Sequence, residues 1–288
     1  MIDNKPIHAI VFTDLDGTLL DDRYDLAGAA YMCNELYARG VLTIPASSKT
    51  KAELSELSAL FAYDAPLISE NGAGIVWPEY LQSALLEQSD SPHQLETIAP
   101  TMSYEQICEV LGSIKRGQNF AFSGFSELSA EEVAAATGLD IHGAALAKQR
   151  LASEPIIWSD ESVRLADFKA QLQARGLHLV SGGRFYHVMN PTDKGVAARR
   201  LMRVIAATCG SELTVLACGD SPNDKPMLEA AQGCALFPQR DGSYMACTHP
   251  FSVKAKSAGA LPWLEAVNEL LSKASELPQQ ADLPASHK

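Results

Sequence analysis

Apolar and polar positions along the chain fall into two alternating periods. Ile7 to Phe12 is a short β-branched and aromatic run that stops at Asp14-Leu15-Asp16-Gly17, the pattern of a buried strand feeding a tight loop. Ala27 to Ala38 follows with helical spacing, Val41 to Ile44 reads as a second strand, and Ser48 to Phe61 as a helix presenting Leu54, Leu57 and Phe61 on one face. The alternation resumes late. Val196, Arg200, Val204 and Ala207, with Leu201 and Ile205 beside them, mark a helix, and Leu213 to Ala217 a buried strand that again ends at Gly-Asp. Strands alternating with helices imply an α/β fold with a parallel sheet, here in two halves separated in sequence.

More than a hundred residues lie between Val76 and Lys194, too many for a loop, so they form an inserted domain. Ser129 with Glu132 is a capping box for a helix through Ala136, and Glu161 to Ala174 reads as another helix. Leu177 to Val180 and Phe185 to Val188 flank Ser181, Gly182, Gly183 and Arg184 as the two arms of a hairpin. Pro78 and Glu79 mark roughly where the insertion starts and Asn190-Pro191 where it ends. The expected division is residues 1–84 and 189–275 as a discontinuous core, 85–188 as an α/β cap, and 276–288 as a frayed, aperiodic tail.

With 288 residues, 47% of them hydrophobic, the chain is large enough for two such units. Its formal charge of −12 repels phosphate backbones and anionic lipid, which argues against nucleic acid and membrane surfaces as partners. The same field repels any small phosphorylated ligand, so such a ligand requires local cations or a metal. The N-terminus lacks the charged leader and cleavage site of a signal peptide, and no run of about 18 apolar residues is present to span a bilayer. Six cysteines without CxxC pairing read as free thiols of a reducing cytoplasm.

Asp14 and Asp16 stand two apart at a strand end, where Gly17 lets the chain turn away and two carboxylates reach one region. A calcium loop is excluded, because Leu19 occupies the position where that loop needs glycine. Gly219-Asp220-Ser221-Pro222-Asn223-Asp224 ends a second strand in the same way. The sheet would then gather four carboxylates at its carboxyl rim, where open α/β sheets bind ligands. Such a group needs a hard cation among it, and Mg²⁺ prefers oxygen ligands.

DLDGT, a strand-end serine, a lysine ahead of a helix, and GDSPND, in that order, resemble the four motifs of the haloacid dehalogenase superfamily. The resemblance implies a Rossmann-like core, an Asp14 nucleophile that takes a phosphoryl group, and an Asp16 that protonates the leaving oxygen and then activates water. It further implies Mg²⁺ held by Asp14, the Asp16 carbonyl and Asp220, with Asp224 and Asn223 in support. Ser47 corresponds to the phosphate-binding hydroxyl, though from spacing alone Ser47 or Ser48 equally caps the next helix. Lys194 matches the lysine that neutralises nucleophile and phosphate.

A narrower likeness lies in Ser47-Ser48-Lys49-Thr50, Glu70-Asn71-Gly72-Ala73, Arg150 with Ser153-Glu154-Pro155, and Gly182-Gly183-Arg184-Phe185-Tyr186-His187, which resemble the mannosyl-3-phosphoglycerate phosphatases. It implies release of phosphate from mannosyl-3-phosphoglycerate to leave mannosylglycerate. Arg150 and Arg184 then suit the substrate carboxylate bidentately. His187 either bonds a sugar hydroxyl or packs. Glu70 and Asn71 either reach sugar hydroxyls or form a turn with Gly72, and Lys49 either faces the phosphoglycerate or lies in solvent at a helix start. The same motifs fit a phosphatase for glucosyl-3-phosphoglycerate, sucrose phosphate or hexose phosphates. A phosphomutase and a non-catalytic phosphosugar-binding regulator are the remaining alternatives.

Overall fold

In the computed structural model, which describes residues 6–86, 102–182, 185–209 and 213–273, two sheets are each wrapped by their own helices. The first contains β1 (Ala9–Thr13), β2 (Val41–Pro45), β9 (Thr214–Gly219), β10 (Gly233–Leu236) and β11 (Ser252–Lys254), all parallel in the order β11-β10-β9-β1-β2. β1 is central, pairing Ala9 with Val41 on one side and with Thr214 on the other. Every residue of β1 and β2 is buried, as expected of a parallel sheet covered on both faces. The coverings include α1 (Leu26–Ala38), α2 (Lys51–Ser58), α8 (Lys194–Cys209), α9 (Lys225–Glu229) and α10 (Ala260–Ser272).

Local chemistry sets these boundaries. Asp25 caps α1 by accepting from the Gly28 amide, and Thr50 caps α2 in a reciprocal box with Glu53. The helix expected from Ser48 therefore begins only at Lys51. It also ends before Phe61, whose ring stacks on Tyr63 instead. β1 likewise starts at Ala9, two residues beyond Ile7.

Beside β2 lies a short hairpin, β3 (Leu67–Ser69) and β4 (Gly74–Val76), joined to it where the Ser47 amide bonds the Ile68 carbonyl at 2.9 Å. Helix α3 (Glu79–Leu86) follows. Trp77 and Leu81 are buried with the first sheet's core, so the chain is still in that layer just past Pro78 and Glu79.

The second sheet is antiparallel: β5 (Phe122–Gly124), β6 (Ser153–Trp158), β7 (His178–Ser181) and β8 (Tyr186–Met189), in the order β5-β6-β8-β7. Its core is aromatic, with Phe120, Phe122 and Trp158 around Phe168, and it includes helices α4 (Tyr104–Gln118) and α7 (Leu165–Gln173). The helix expected from Glu161 starts later because Glu161 is extended and Ser162–Arg164 form a 3-10 turn. Helices α5 (Ala130–Thr137), with the expected Ser129 and Glu132 box, and α6 (Ile141–Ala147) enclose a smaller cluster. Gly183 and Arg184 in the β7–β8 connection, and the tail 276–288, lie outside the described residues.

The sheets meet at a buried clasp. Glu70, fully buried, accepts from the Leu151 amide at 2.7 Å, the Ala152 amide at 3.1 Å and the Ser153 hydroxyl at 2.8 Å. Arg150 lies 3.5 Å from the same carboxylate and donates to the Ser153 hydroxyl and the Ser48 carbonyl. Nearby, Thr50 donates to the Leu146 carbonyl at 3.0 Å. Among the described residues no helix is long and apolar enough to cross a membrane, and Cys33, Cys108, Cys218, Cys234 and Cys247 are free thiols.

Candidate active site

Asp14 is the first residue beyond β1, its amide bonded to the Cys218 carbonyl at 2.9 Å across to β9. The strand end is held from below, because buried Trp263 donates to the Thr13 hydroxyl at 2.9 Å and that hydroxyl donates to the Asp14 carbonyl at 2.8 Å. Parallel strands with adjacent ends place Asp14 beside the loop that follows β9. Gly17 makes the turn at φ 84°, and a Cβ there would stand 3.1 Å from an Asp220 oxygen, so both the conformation and the space favour glycine.

Lys194, the first residue of α8 and fully buried, joins the two loops. Its ammonium lies 2.7 Å from Asp14 Oδ1 and 2.6 Å from Asp224 Oδ1. The other Asp224 oxygen accepts from the Asp220 and Ser221 amides at 3.1 and 3.0 Å. Asp224 therefore has both oxygens engaged, whereas Asp220 receives a long bond from Thr18, at 3.3 Å, and shares a hydrogen bond with Asp14. Asp14, Asp220 and Asp224 each bring a carboxylate oxygen within 4.8 Å of the others.

This crowding is reflected in proton affinity. Burial pushes the Asp14 carboxyl well above its usual range, Lys194 opposes that, and Asp224 and Asp220 reinforce it. Burial and then Asp224 push Asp220 up to about 6. Burial works against the Lys194 charge, but Asp14 and Asp224 together outweigh it and hold the ammonium above its usual range. Three carboxylates facing one ammonium leave the site short of positive charge, and the donor set is all oxygen, which fits a hard divalent cation.

Ser47 is buried, with its amide on β3 and its hydroxyl accepting from the Lys49 amide at 3.3 Å. Since Thr50 caps α2, Ser47 and Ser48 are not its caps. Lys49 turns to Asp16, 3.0 Å from Oδ2, and sits 5.0 Å over the Tyr24 ring. Asn71, held at φ 58°, bonds the Ser47 carbonyl through its amide and accepts from Asn223 at 3.0 Å. Its side-chain Nδ2 is buried without a partner among the described residues, as is Nδ1 of His187 on β8. Burial, then the charges of Arg150 and Lys194, lowers the His187 imidazole to about 3, so it is neutral.

The structure thus brings Asp14, Lys194, Asp220 and Asp224 to one point, with Ser47, Asn71 and Asn223 alongside. Glu70 and Arg150 are occupied with each other at the clasp, and Arg184 is outside the described residues. Thr18, Tyr24 and Gln239, which donates to the Asp220 carbonyl at 3.2 Å, were not foreseen. Thr18 was readable in DLDGT, while nothing around Gln239 in sequence marks it.

Residues 11–237 match the model of the haloacid dehalogenase-like hydrolases. A glucosyl-3-phosphoglycerate/mannosyl-3-phosphoglycerate phosphatase of Methanococcoides burtonii is 35% identical over 266 residues, covering 92% of this chain and 97% of that one. Among solved structures, a protein of Thermoplasma acidophilum superposes with TM-score 0.60 at 15% identity, covering 93% of this chain and 99% of the other. The sucrose-phosphatase of Synechocystis, in complex with sucrose and phosphate, superposes with TM-score 0.58 at 14% identity over 92% and 98%. These two likenesses are of fold.

Proposed function

The chain belongs to the haloacid dehalogenase-like hydrolase family and is a phosphoric monoester hydrolase, and from that premise we propose that it dephosphorylates a glycosyl-3-phosphoglycerate, mannosyl-3-phosphoglycerate foremost, through an aspartyl phosphate on Asp14. The observation that carries this is the Lys194 ammonium at 2.7 and 2.6 Å between Asp14 and Asp224. It opposes the protonation that burial favours and fixes one Asp14 oxygen, leaving the other to attack.

An Asp14 oxygen forms a bond to phosphorus as the ester P–O bond breaks, and the Asp16 carboxyl gives its proton to the departing alkoxide. In the second half, Asp16 takes a proton from water as the water oxygen bonds phosphorus and the Asp14–phosphorus bond breaks. Ser47 donates to a phosphoryl oxygen. Mg²⁺ would be held by Asp14, Asp220 and the Asp16 carbonyl, with Asp224 supporting through Lys194 and the loop amides, since both its oxygens are occupied. When bound, the ion supplies positive charge to the transferring phosphoryl oxygens.

The division into a core of 1–84 with 189–275 and a cap of 85–188 belongs to the same reading, supported by the two sheets and their separate hydrophobic clusters. So does a reducing, cytoplasmic setting, supported by the free thiols. For the organic part of the substrate, the unpartnered Nδ2 of Asn71 and Nδ1 of neutral His187 suit hydroxyl groups, with Asn223 orienting Asn71. Glu70 and Arg150 we assign to the clasp.

The test is phosphate release over mannosyl-3-phosphoglycerate, glucosyl-3-phosphoglycerate, sucrose phosphate and hexose phosphates, with Mg²⁺ or chelator, for wild type and Asp14→Asn. Mg²⁺-dependent turnover of a glycosyl-3-phosphoglycerate, abolished in D14N, is expected. Undiminished activity in D14N sinks the mechanism, and preference for another ester sinks the substrate.

A further inference from the structure

Asp16 sits on a half-exposed loop, its side chain 49% accessible, just ahead of the Gly17 turn. A carboxylate so placed rotates freely unless something holds it, and proton transfer requires a heavy-atom approach of about 2.6–3.2 Å. Two groups from two other segments converge on it. Lys49 places its ammonium 3.0 Å from Asp16 Oδ2 with only 14% of its side chain accessible. The Lys49 backbone is itself pinned, its amide on the Ser47 hydroxyl and its carbonyl accepting from the Glu70 amide at 2.9 Å.

The second group is Tyr24, whose ring lies under the Lys49 ammonium and whose hydroxyl interacts with both Lys49 and Asp16. A phenol hydroxyl beside a carboxylate is the donor of the pair, so Tyr24 offers Asp16 a hydrogen bond. Tyr24 is one of four described non-glycine residues with positive φ, at 57°, a conformation disfavoured for a bulky side chain. The turn is closed on both sides of it, by Tyr24 N to Asp21 O at 3.0 Å and Leu26 N to Tyr24 O at 2.9 Å. Strain retained where the surrounding turn over-determines it is the pattern of a functional segment. An ordinary surface ion pair has two mobile ends. Here the cation is shielded and fixed at its backbone.

We propose that Tyr24 and Lys49 are positioning residues that hold the Asp16 carboxyl where it meets the ester oxygen, so that they act on leaving-group protonation rather than on phosphoryl binding. This rests on the mechanism proposed above.

The experiment compares kcat/KM, with Mg²⁺ present, for benzyl phosphate and p-nitrophenyl phosphate. The two esters are alike in size and charge, but only the benzyl alkoxide needs a proton to depart. Tyr24→Phe, which removes one oxygen from a partly exposed ring, should lower kcat/KM about tenfold on the benzyl ester and less than about twofold on the nitrophenyl ester, a fraction of the ~10²–10⁴ that acid catalysis provides. Lys49→Met should show a larger selective loss, and Lys49→Arg should recover part of it. Equal losses on both esters, or no loss on either, overturn the inference alone. A wild-type protein inert toward both esters and toward the glycosyl-3-phosphoglycerates overturns the proposed function and this inference with it.

Discussion

Replacing Glu70 by Gln probes the clasp with almost no change in volume. The carboxylate is fully buried and faces four donors: two amides, the Ser153 hydroxyl and the Arg150 guanidinium. An amide in its place has one acceptor oxygen and turns an NH₂ toward a donor. It also leaves Arg150, only 3% exposed, without a counter-charge. Removing one partner of a buried pair costs about 3–5 kcal/mol, and we take ~3 kcal/mol because Arg150 keeps its bonds to Ser153 and the Ser48 carbonyl. Arg150→Met should cost ~2 kcal/mol, since Glu70 keeps three neutral donors. In the double variant neither charge is stranded, so its cost should fall short of the sum by more than ~1 kcal/mol. Amide hydrogen exchange at Leu151 and Ala152 reads the opening directly, and ~3 kcal/mol corresponds to roughly a hundredfold loss of protection if they open through this clasp. Additivity within ~0.5 kcal/mol, or unchanged protection in E70Q, would refute the idea that this pair joins the sheets.

Two further outcomes follow from single residues. His187 is neutral when folded, at about 3, against ~6.5 unfolded; between those values the unfolded chain binds the extra proton, so stability is complete above ~6.5 and falls as pH drops toward 3. The urea midpoint should therefore decline from pH 7 to 5 by less in His187→Asn than in wild type; parallel declines would remove His187 as a cause. Gly72→Ala should lower both the melting temperature and kcat, because φ is 95° and a Cβ would stand 2.2 Å from the Asp193 carbonyl oxygen, next to Lys194; an unchanged kcat would show that the junction tolerates displacement.

The carboxylate centre was legible because each half announces itself locally. A buried strand ending in aspartate and glycine is visible at Asp14 and again at Asp220, and α/β alternation brings such ends to one rim. The division of labour between Asp220 and Asp224 came from the resemblance alone, since its physical basis lies in which oxygens the loop amides and Lys194 occupy. Arg150 read as a substrate ligand because an arginine in sequence shows no partner. Glu70 lies some eighty positions away, and only the fold shows that the two meet. The Thr50 box was likewise present in the letters, but the flanking serines offered competing caps.

The pairing of β1 with β9 also has a temporal side. β1 is synthesised well before its central partner, which begins only at Thr214. At ~5–20 residues per second the interval is about 10–40 s, during which β1 and β2 have a buried-type strand edge with nothing alongside. The catalytic carboxylates meet only after that wait, because Asp220 and Asp224 lie beyond β9. Long-range parallel pairing of this kind slows folding and leaves the nascent chain open to association. Synthesis rate and chaperone supply, more than the stability of the finished sheet, would then set the yield of active enzyme.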